Sequence, residues 1–518
     1  MSDRETSIWW VRRDLRVHDN YALTHAARAD ALLPVFVFDP ASFGDVEYGG
    51  PNSFTFEKTG AHRARFLAES VRDLRGTLQD ADSDLVVAHM RPDAALAALA
   101  DAVGADVVYC ERYPTPEEYA VRDRVTDALP DGTRLESRWG HTLYHPEDLP
   151  DPPEAIPDTF TPFRQAVENA PDCAPQTPLA TPDVPALPTE LENGDGEAIV
   201  DDSDGTADAD ADATAGVDAG SIPSPTDLGV AERADWDAVA VADERAVLPF
   251  QGGETRARER LENYVWTRDR LREYKQTRNG LLGADYSSKL SPWLNLGTLS
   301  PREVYREVQA YERERVANDS TYWLVFELVW RDFFQFQFAK HGSQHFRREG
   351  IRERDDIKWR CGDRLLDAWK HGETGIPFVD SNMRELNATG FMSNRGRQNV
   401  ASFVANNCRV DWRKAAAYFE TRLVDYDPAS NYGNWAYQSQ VGNDSRNSYF
   451  DVVDQARRYD EDADHVKRWC PELKPLPPEY AHEPWTMTNE EQREYGVVLG
   501  EDYPEPVLNL AASYEKLR

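Results

Sequence analysis

The stretch from Phe391 to Tyr437 constrains the fold of this chain most, because apolar residues at helical spacing alternate there with many polar and indole groups. These groups are Asn394, Arg395, Arg397, Gln398, Trp412, Asp425, Asp427, Asn431, Trp435 and Tyr437. The apolar spacing predicts helices that bury the stretch rather than a loop that displays it. A buried carboxylate without a partner costs several kcal/mol, so the two aspartates need partners, which the nearby arginines can supply. We therefore expect a polar, aromatic-walled cavity inside a helical domain.

With 518 residues, the chain is long enough for two or more domains, each with its own core. It contains no apolar run of transmembrane length and no N-terminal signal peptide, so we expect a cytoplasmic protein without a membrane partner. The five cysteines are scattered, and none belongs to a CxxC pair. This pattern predicts neither a disulfide framework nor a structural metal site.

The net charge of −34, from 92 acidic and 58 basic residues, has two interpretations. The simpler one is a protein that avoids nucleic acid. The other is adaptation to a salty cytoplasm, where an acidic surface keeps a protein soluble. The excess of aspartate and the scarcity of lysine beside arginine favour the halophilic interpretation. At high salt, phosphate contacts lose much of their driving force, so any nucleic-acid binding would depend on shape, stacking and buried polar contacts.

Residues 1–150 alternate apolar β-rich runs with helical patterns, which predicts a doubly wound α/β domain with a parallel sheet. SIWWVRR, ALLPVFVF, LVVAHM and ADVVYC are the predicted strands, and Ala61–Leu78 and Asp93–Val103 are the predicted crossover helices. Neither GxGxxG nor GxxxxGK[ST] is present, so no ordinary dinucleotide or triphosphate site is indicated. The basic cluster Arg12–Arg16 at the end of the first strand either binds an anion or forms a solvated strand end with Asp14 as a helix cap.

Residues 151–245 form a predicted linker, and its part from Pro185 to Pro225 is expected to be a disordered acidic insertion. Between Asp172 and Glu244 the sequence has 19 acidic residues against the single base Arg233. Residues 246–488 are predicted to be a helical domain, followed by a short surface extension at 489–518. The helices predicted from apolar spacing are Glu254–Asn263, Pro301–Glu314, Ser320–Lys340, Arg364–Lys370, Phe378–Ala388, Asn394–Asn406 and Trp412–Leu423.

Several constellations in the helical domain have both a chemical and a structural interpretation. Hydroxyls before the helix at Pro292 are suited to a diphosphate but are also ordinary helix caps. Glu327, Trp330 and Arg331 share a helix face. Either they bind a flat polar ligand, or the glutamate and the arginine form a buried ion pair. Asp425 and Asp427 fit arginine partners better than a metal, because no His or Cys stands nearby. The three tryptophans Trp359, Trp412 and Trp435 are an electron path or simply core residues.

Taken together, these segments resemble the photolyase/cryptochrome family, and within it the DASH cryptochromes. The matching segments are WWVRRDLRVHDNYAL, YSSKLSPWLNLGTLSPREV, FELVWRDFFQF, GIPFVDSNMRELNATGFMSNRGRQNVASF, DWRKAAAYFE and LVDYDPASNYGNWAYQSQVG. The resemblance covers nearly the whole chain except the acidic linker and the last thirty or so residues. It implies an N-terminal α/β domain, a helical domain that binds FAD, and a monomer.

The resemblance also implies a set of cofactor-binding residues. These are Tyr274, Ser287, Ser288, Lys289, Leu290, Ser291, Arg331, Arg397, Asp425, Asp427 and Asn431. Of these, Arg397 would pair with Asp425, Asp427 would stand near the isoalloxazine ring, and Asn431 would face flavin N5. Trp435, Trp412 and Trp359 match the electron-transfer triad of the family, from the flavin to the surface, and would photoreduce the flavin.

The implied activity is light-driven splitting of cyclobutane pyrimidine dimers in DNA, by an electron that the excited reduced flavin donates and recovers. The substrate residues would be Glu327, Trp330, Asn394, Arg395, Gln398 and Tyr437, with Glu327, Asn394 and Asn431 in catalytic roles. Glu327 would hydrogen-bond a base edge and stabilise the radical anion. Gln398 and Tyr437 follow the DASH pattern, which implies a preference for single-stranded or looped DNA. Ser393–Asn399 contains no histidine, which argues against (6-4) photolyase chemistry.

The resemblance further implies a light-harvesting antenna chromophore. Glu117, Glu118 and Trp435 match the placement of a folate site, which favours 5,10-methenyltetrahydrofolate, with a deazaflavin as the alternative. Two other functions remain open at this stage. One is a blue-light photoreceptor that binds nucleic acid with little repair, and the other is a helical flavoprotein for electron transfer in the dark.

Overall fold

The N-terminal part forms a five-stranded parallel sheet in this computed structural model, which describes residues 5–189, 220–230, 236–239, 243–360, 363–443 and 449–517. Its strands are β1 (Thr6–Val11), β2 (Ala31–Phe38), β5 (Val86–His89), β6 (Val107–Glu111) and β7 (Arg134–Arg138), and a separate hairpin contains β3 (Asp45–Glu47) and β4 (Thr55–Glu57). The order in the sheet is β5-β2-β1-β6-β7, with every pair parallel.

Helices cover both faces of this sheet because successive side chains of β1 point to opposite sides. Trp9 packs in one apolar cluster and Trp10 in the other. Tyr21–Ala26 and Ala61–Gln79 contribute to the first cluster, and Pro92–Val103 and Pro116–Ala128 contribute to the second. The predicted doubly wound α/β class is therefore confirmed. Strand β7 and the Pro116–Ala128 helix were not predicted, because both sequences are mostly polar and lack an apolar run.

The remainder of the chain is helical. Its helices are Glu254–Glu262, Tyr274–Thr277, Ser291–Leu296, Pro301–Glu314, Asp319–His341, Asp363–His371, Pro377–Thr389, Asn394–Ser402, Trp412–Arg422, Pro428–Gln438, Val452–Tyr459, Asp464–Trp469, Pro478–His482, Asn489–Tyr495 and Leu510–Glu515. Single π turns continue two of these helices, at Asn263–Thr267 and Phe403–Asn407. Short 3-10 turns lie at Pro40–Ser42, Pro146–Asp148, Pro153–Ala155, Leu271–Glu273, Gly342–Phe346, Pro471–Leu473 and Pro484–Thr486. Every helix predicted from apolar spacing is present.

The predicted linker differs from expectation at its start. A helix at Phe160–Asn169 buries Phe160, Phe163 and Val167 in the core of the helical part. These apolar residues at helical spacing hold the segment on the protein, so the linker is packed there. A second short helix lies at Trp236–Val239. Most of the predicted disordered insertion, residues 190–219, lies outside the described residues.

The C-terminal residues 489–518 were predicted to be a surface extension, and for several of them this is wrong. Tyr503, Leu510 and Tyr514 are buried, and the Tyr503 hydroxyl donates a hydrogen bond to the carboxylate of Asp380. Three residues that each bury apolar area hold this segment against the helical part.

Buried polar contacts join the α/β part to the helical part. The Arg302 guanidinium pairs with Asp19 at 2.9 Å and donates to the carbonyls of Gly140 and Thr142. Arg16 donates to the carbonyl of Gly297, and Arg13 pairs with Asp427. The Arg12–Arg16 cluster therefore serves the domain interface rather than a solvated strand end. The Asp14 carboxylate accepts a hydrogen bond from the backbone N–H of Arg12 and does not cap the following helix.

Among the described residues, no helix is long and apolar enough to cross a membrane. Within the same part of the chain, no group of three or more His, Cys, Asp or Glu side chains could hold a metal ion. Cys110, Cys173, Cys408 and Cys470 are free and buried, and Cys361 lies outside the described residues.

Candidate functional site

A cavity of about 290 Å³ lies inside the helical part, and we call it the central cavity. It brings together most of the residues predicted to act on ligands: Tyr274, Ser287, Ser288, Lys289, Leu290, Ser291, Glu327, Arg331, Asn394, Arg397, Gln398, Asp425, Asp427, Asn431 and Trp435. They come from the 274–295 segment, the Asp319–His341 helix and the 391–438 segment. The predicted residues Trp330, Arg395 and Tyr437 do not line the cavity itself.

Lys289 is the most unusual group in the central cavity. Its side chain is buried, and its Nζ has no hydrogen-bond partner among the described residues. It lies 3.2 Å from the centroid of the Tyr286 ring. Burial, together with the neighbouring Arg260 guanidinium, lowers the pKa of Lys289 to about 6. A buried amine without a partner fits an anionic ligand group such as a diphosphate.

Arg260 fixes the backbone that presents Lys289. Its guanidinium donates to the carbonyls of Ser288 at 2.9 Å, Ala284 at 2.9 Å and Ser287 at 3.2 Å. Lys289 has a positive φ of 55°, a conformation that costs about 1 kcal/mol in a residue with a Cβ. These contacts hold the loop in place before the ligand arrives.

Arg397 and Asp425 form the ion pair that the family resemblance implied. The guanidinium donates to both carboxylate oxygens, at 2.8 and 3.0 Å. Ser291 Oγ donates to the same carboxylate at 2.6 Å, which links the serine-rich loop to the segment that contains Asp425. Both carboxylate oxygens accept from the single Nη2 of Arg397, and this ion pair together with the serine offsets the cost of burying Asp425.

Asp427 begins the Pro428–Gln438 helix as its N-cap and accepts the backbone N–H of Ser430 at 2.7 Å. Arg13 from the α/β part pairs with it at 3.0 Å, and Gln335 donates to it at 2.9 Å. Burial alone would raise the pKa of Asp427, but the charges of Arg13 and Arg331 outweigh it, so this pKa lies below its ordinary value. The carboxylate therefore stays ionised in the cavity wall.

Glu327 pairs with Arg278, a residue that the sequence reasoning missed. The alternative of an Arg–Glu pair within one helix is wrong, because Arg331 donates instead to the carbonyls of His141 and Leu294. Burial raises the pKa of Glu327, although the Arg278 charge acts in the opposite direction. The cavity thus holds a carboxyl group that takes up a proton more readily than an exposed glutamate.

The remaining substrate candidates have different surroundings. Gln398 lines the cavity, and its Oε1 has no partner among the described residues. The Trp330 ring stacks on Phe160 with 3.6 Å between centroids, and Tyr437 meets Trp330 edge-on at 6.4 Å. Arg395 lies apart, where it donates to Asn279 at 3.0 Å. Asn394 is exposed at the cavity edge.

Two of the three candidate electron-transfer tryptophans are buried, and the third is partly exposed. Trp435 lines the cavity, and Trp412 is fully buried, with its Nε1 donating to the carbonyl of Arg348. Trp359 is partly exposed. Its neighbour Arg360 forms a bridge to Val410, which places Trp359 beside the chain just ahead of Trp412.

The three antenna candidates occupy two different places. Glu118 pairs with Arg12 and Arg13, and Glu117 pairs with Lys58 at 2.7 Å. Trp435 instead lies in the central cavity, packed edge-on against Phe419. Arg13 touches both Glu118 and Asp427, so this one side chain connects the two places.

Comparison with known proteins identifies the family. Residues 323–518 match the model of the FAD binding domain of DNA photolyase, and residues 7–185 match the DNA photolyase model. A Cryptochrome DASH of Natronomonas pharaonis is 52% identical over 520 residues, which is 99% of this chain and 100% of that protein. The chain belongs to the photolyase/cryptochrome family. Its similarity to Cryptochrome DASH proteins extends to Gloeobacter violaceus, at 47% identity over 98% of this chain and 94% of that protein.

Solved structures of photolyases and cryptochromes share this fold. The crystal structure of a Synechocystis cryptochrome has a TM-score of 0.88 and 40% identity, covering 100% of this chain and 99% of that one. A bacterial class III photolyase from Agrobacterium tumefaciens has a TM-score of 0.78 and 26% identity, covering 100% and 98%. The α/β domain followed by a helical FAD-binding domain is thus the architecture of a photolyase/cryptochrome protein. The relative from a haloarchaeon also agrees with the halophilic composition.

Proposed function

We propose that this protein is a DASH-type, blue-light-driven lyase that splits cyclobutane pyrimidine dimers, preferentially in single-stranded or looped DNA. The observation that carries the proposal is the composition of the central cavity. The cavity holds the buried amine of Lys289, the Arg397–Asp425 pair and Glu327, whose pKa is raised. A flavin and a flipped pyrimidine dimer therefore have suitable partners within one cavity.

The residues present fit FAD. Lys289 would neutralise a phosphate, and Ser287 and Ser288 would donate hydroxyl hydrogen bonds to the same diphosphate. Asn431 donates its amide to the carbonyl of Ala416 at 3.0 Å, which leaves its Oδ1 to accept a ring N–H. When bound and reduced, FAD supplies one electron on absorbing blue light.

Glu327 would hold the base edge of the dimer. Because its pKa is raised, its protonated form is available to donate a hydrogen bond to a pyrimidine carbonyl. Such a donor stabilises the negative charge that develops on the dimer. Arg278, which pairs with Glu327, would keep the carboxyl group oriented.

The arrangement of Trp330 and Tyr437 supports the proposed preference for single strands. Flipping a base out of a duplex costs a few kcal/mol, and stacking on an aromatic ring returns about 1–3 kcal/mol per base. Here the Trp330 ring is already stacked on Phe160, and Tyr437 presents its edge to it. Because these two rings offer little free surface for stacking a base, they favour dimers that are already unstacked.

We also propose an antenna site near Glu117 and Glu118, with methenyltetrahydrofolate as the first candidate and a deazaflavin as the alternative. Glu117 is exposed and able to reach a ligand, whereas Glu118 is engaged by Arg12 and Arg13. Extraction of the chromophore from purified protein, followed by absorption and mass spectrometry, identifies which one is bound.

The test of the proposed function is repair of a thymine-dimer oligonucleotide by purified, reduced, FAD-loaded protein in molar KCl under blue light. Single-stranded and duplex substrates are compared, with a dark control. We expect light-dependent repair that is faster on the single strand. Equal repair of both substrates would support the lyase activity and reject the preference for single-stranded DNA. The absence of repair by a flavin-loaded, photoreducible protein would reject the lyase in favour of a blue-light photoreceptor.

A further inference from the structure

A second cavity, of about 520 Å³, lies at the outer end of the tryptophan series. We call it the Trp359 pocket. Its lining consists of Arg354, Asp356, Ile357, Lys358, Trp359, Arg360, Arg409 and Gln440. Four of these residues are cationic and only one is acidic, in a protein whose net charge is −34. The local sign of charge is therefore opposite to that of the molecule as a whole.

The one acidic group in this lining is already paired with an arginine. Asp356 accepts two hydrogen bonds from Arg354, both at 2.6 Å. In the part of the chain that the structure describes, Lys358, Arg360 and Arg409 form no ion pair. The half-buried Arg409 side chain has its pKa lowered by burial and by the nearby Arg354. Cations held together without a counter-charge favour binding of an anion.

Two residues of the Trp359 pocket have a left-handed backbone conformation. Arg409 and Gln440 have φ values of 57° and 66°, in the left-handed region that favours glycine. Such conformations cost about 1–2 kcal/mol for a residue with a Cβ. The carbonyl of Gln440 accepts hydrogen bonds from Arg352 and Arg354, which fix this wall. Each of the two residues directly follows the C-cap of a helical segment, so the left-handed conformation ends that segment and fixes the shape of the pocket wall.

We propose that the Trp359 pocket binds a small anionic one-electron reductant that restores Trp359 after photoreduction. The inference rests on the proposed function, in which Trp359 passes one electron inward and becomes a radical cation. The bound anion then gives one electron to Trp359, so that the indole becomes neutral again and the donor loses one negative charge. No bond is made or broken. The cations that surround Trp359 bring the donor to the exposed side of the indole.

Transient absorption of the FAD-loaded protein after a blue flash tests this assignment. The decay of the Trp359 radical is measured against added ferrocyanide, an anionic donor, and against hydroxymethylferrocene, a neutral donor. The variant K358Q/R360Q removes two exposed cations. We expect its rate constant with ferrocyanide to fall about fivefold or more, because these cations no longer attract the anionic donor. The rate constant for the neutral donor should stay unchanged.

The matched control is K474Q/R493Q, which removes the same charge from exposed positions outside the pocket. It should leave both rate constants unchanged. Three results would overturn the proposal: an equal loss for both donors, an equal loss in the control variant, or no loss in K358Q/R360Q. All measurements use the lowest KCl concentration at which circular dichroism shows the native fold, because salt screens exposed charges.

A second measurement needs no flavin. The difference in fluorescence between the protein and its Trp359→Phe variant isolates Trp359, and its quenching by iodide is compared with quenching by neutral acrylamide. We expect K358Q/R360Q to weaken only the iodide quenching; unchanged iodide quenching would reject the anion site. If this site is confirmed but no Trp359 radical forms after the flash, the reductant role and the proposed electron route fail together.

Discussion

Lys289 shows how burial sets the chemistry of one residue in this protein. Its amine has no hydrogen-bond partner among the described residues and a pKa of about 6, so at pH 8 the amine of the apoprotein is mostly neutral. A bound phosphate would favour the charged form and raise this pKa. Binding of the cofactor should therefore take up a proton.

We predict that FAD affinity decreases as pH rises above about 6, by up to tenfold per pH unit, until the pKa of Lys289 in the complex is passed. The measurement is titration of the apoprotein with FAD between pH 6 and pH 9, followed by flavin fluorescence. Lys289→Met should bind FAD more weakly and with little pH dependence, whereas the exposed control Lys474→Met should behave like the parent. A pH-independent affinity in the parent protein would contradict the proposed role.

Glu327 supports a second prediction at this scale. Glu327→Ala should lower the quantum yield of repair about threefold to tenfold, the effect of losing one hydrogen bond of about 1 kcal/mol, and should leave FAD bound. In the parent, repair should decrease as pH rises through the pKa of Glu327, because the donor proton is lost. Glu327→Gln keeps a donor and should flatten this dependence. Glu314→Ala, an exposed glutamate outside the cavity, is the control, and an unchanged yield in Glu327→Ala would refute the role.

At the scale of elements, three segments carry the tryptophan series. Trp412 lies at the start of one helix and Trp435 in the next, and the Arg360–Val410 bridge anchors the segment with Trp359. The order of burial, from fully buried Trp412 to partly exposed Trp359, suits a path that ends at solvent. Helix packing places the inner two, whereas the bridge and packing against the edge of the apolar core place the outer one.

Trp359→Phe should block photoreduction of oxidised FAD by external reductants and leave repair by chemically reduced protein unchanged. The reason is that only photoreduction needs an electron from the surface. Steady-state absorption under blue light measures the first activity, and the oligonucleotide assay measures the second. Trp266→Phe, whose ring packs on Tyr311 away from the cavity, is the control. Loss of both activities in Trp359→Phe would reject the electron-transfer assignment.

At the scale of the whole molecule, the buried ion pair between Arg302 and Asp19 joins the two domains, with side chains 1% and 0% exposed. Arg302→Met removes this pair together with two hydrogen bonds to carbonyls and leaves Asp19 without its charge partner. We predict that the free energy of unfolding falls by about 3–5 kcal/mol. Urea denaturation in molar KCl measures it.

The matched control for that variant is Arg306→Met, one helical turn away on the same helix. Arg306 is about half exposed, and its pair with Glu303 should contribute at most about 1 kcal/mol. If the two variants lose the same stability, the interface pair does not hold the domains together.

Local pattern was sufficient for much of this fold. Apolar runs predicted four strands of the sheet, and apolar spacing predicted the helices around the cavity, because both depend on neighbours close in sequence. The edge strand β7, with the sequence RLESR, lacks such a run, and its pairing with β6 decides its structure. Packing onto Trp330 likewise decides the place of the Phe160–Asn169 helix.

For the site, the sequence by itself determined the family, and the resemblance to that family implied the Arg397–Asp425 pair and many of the residues that line the central cavity, although not Arg278. Only the tertiary structure decided the partners of Glu327 and Asp427, because Arg278 and Arg13 approach them from distant parts of the chain. It also decided that the amine of Lys289 has no hydrogen-bond partner among the described residues and that the distant Arg409 joins the cations beside Trp359. Charge and burial at a site depend on which distant segments come into contact, and a local sequence pattern does not contain that information.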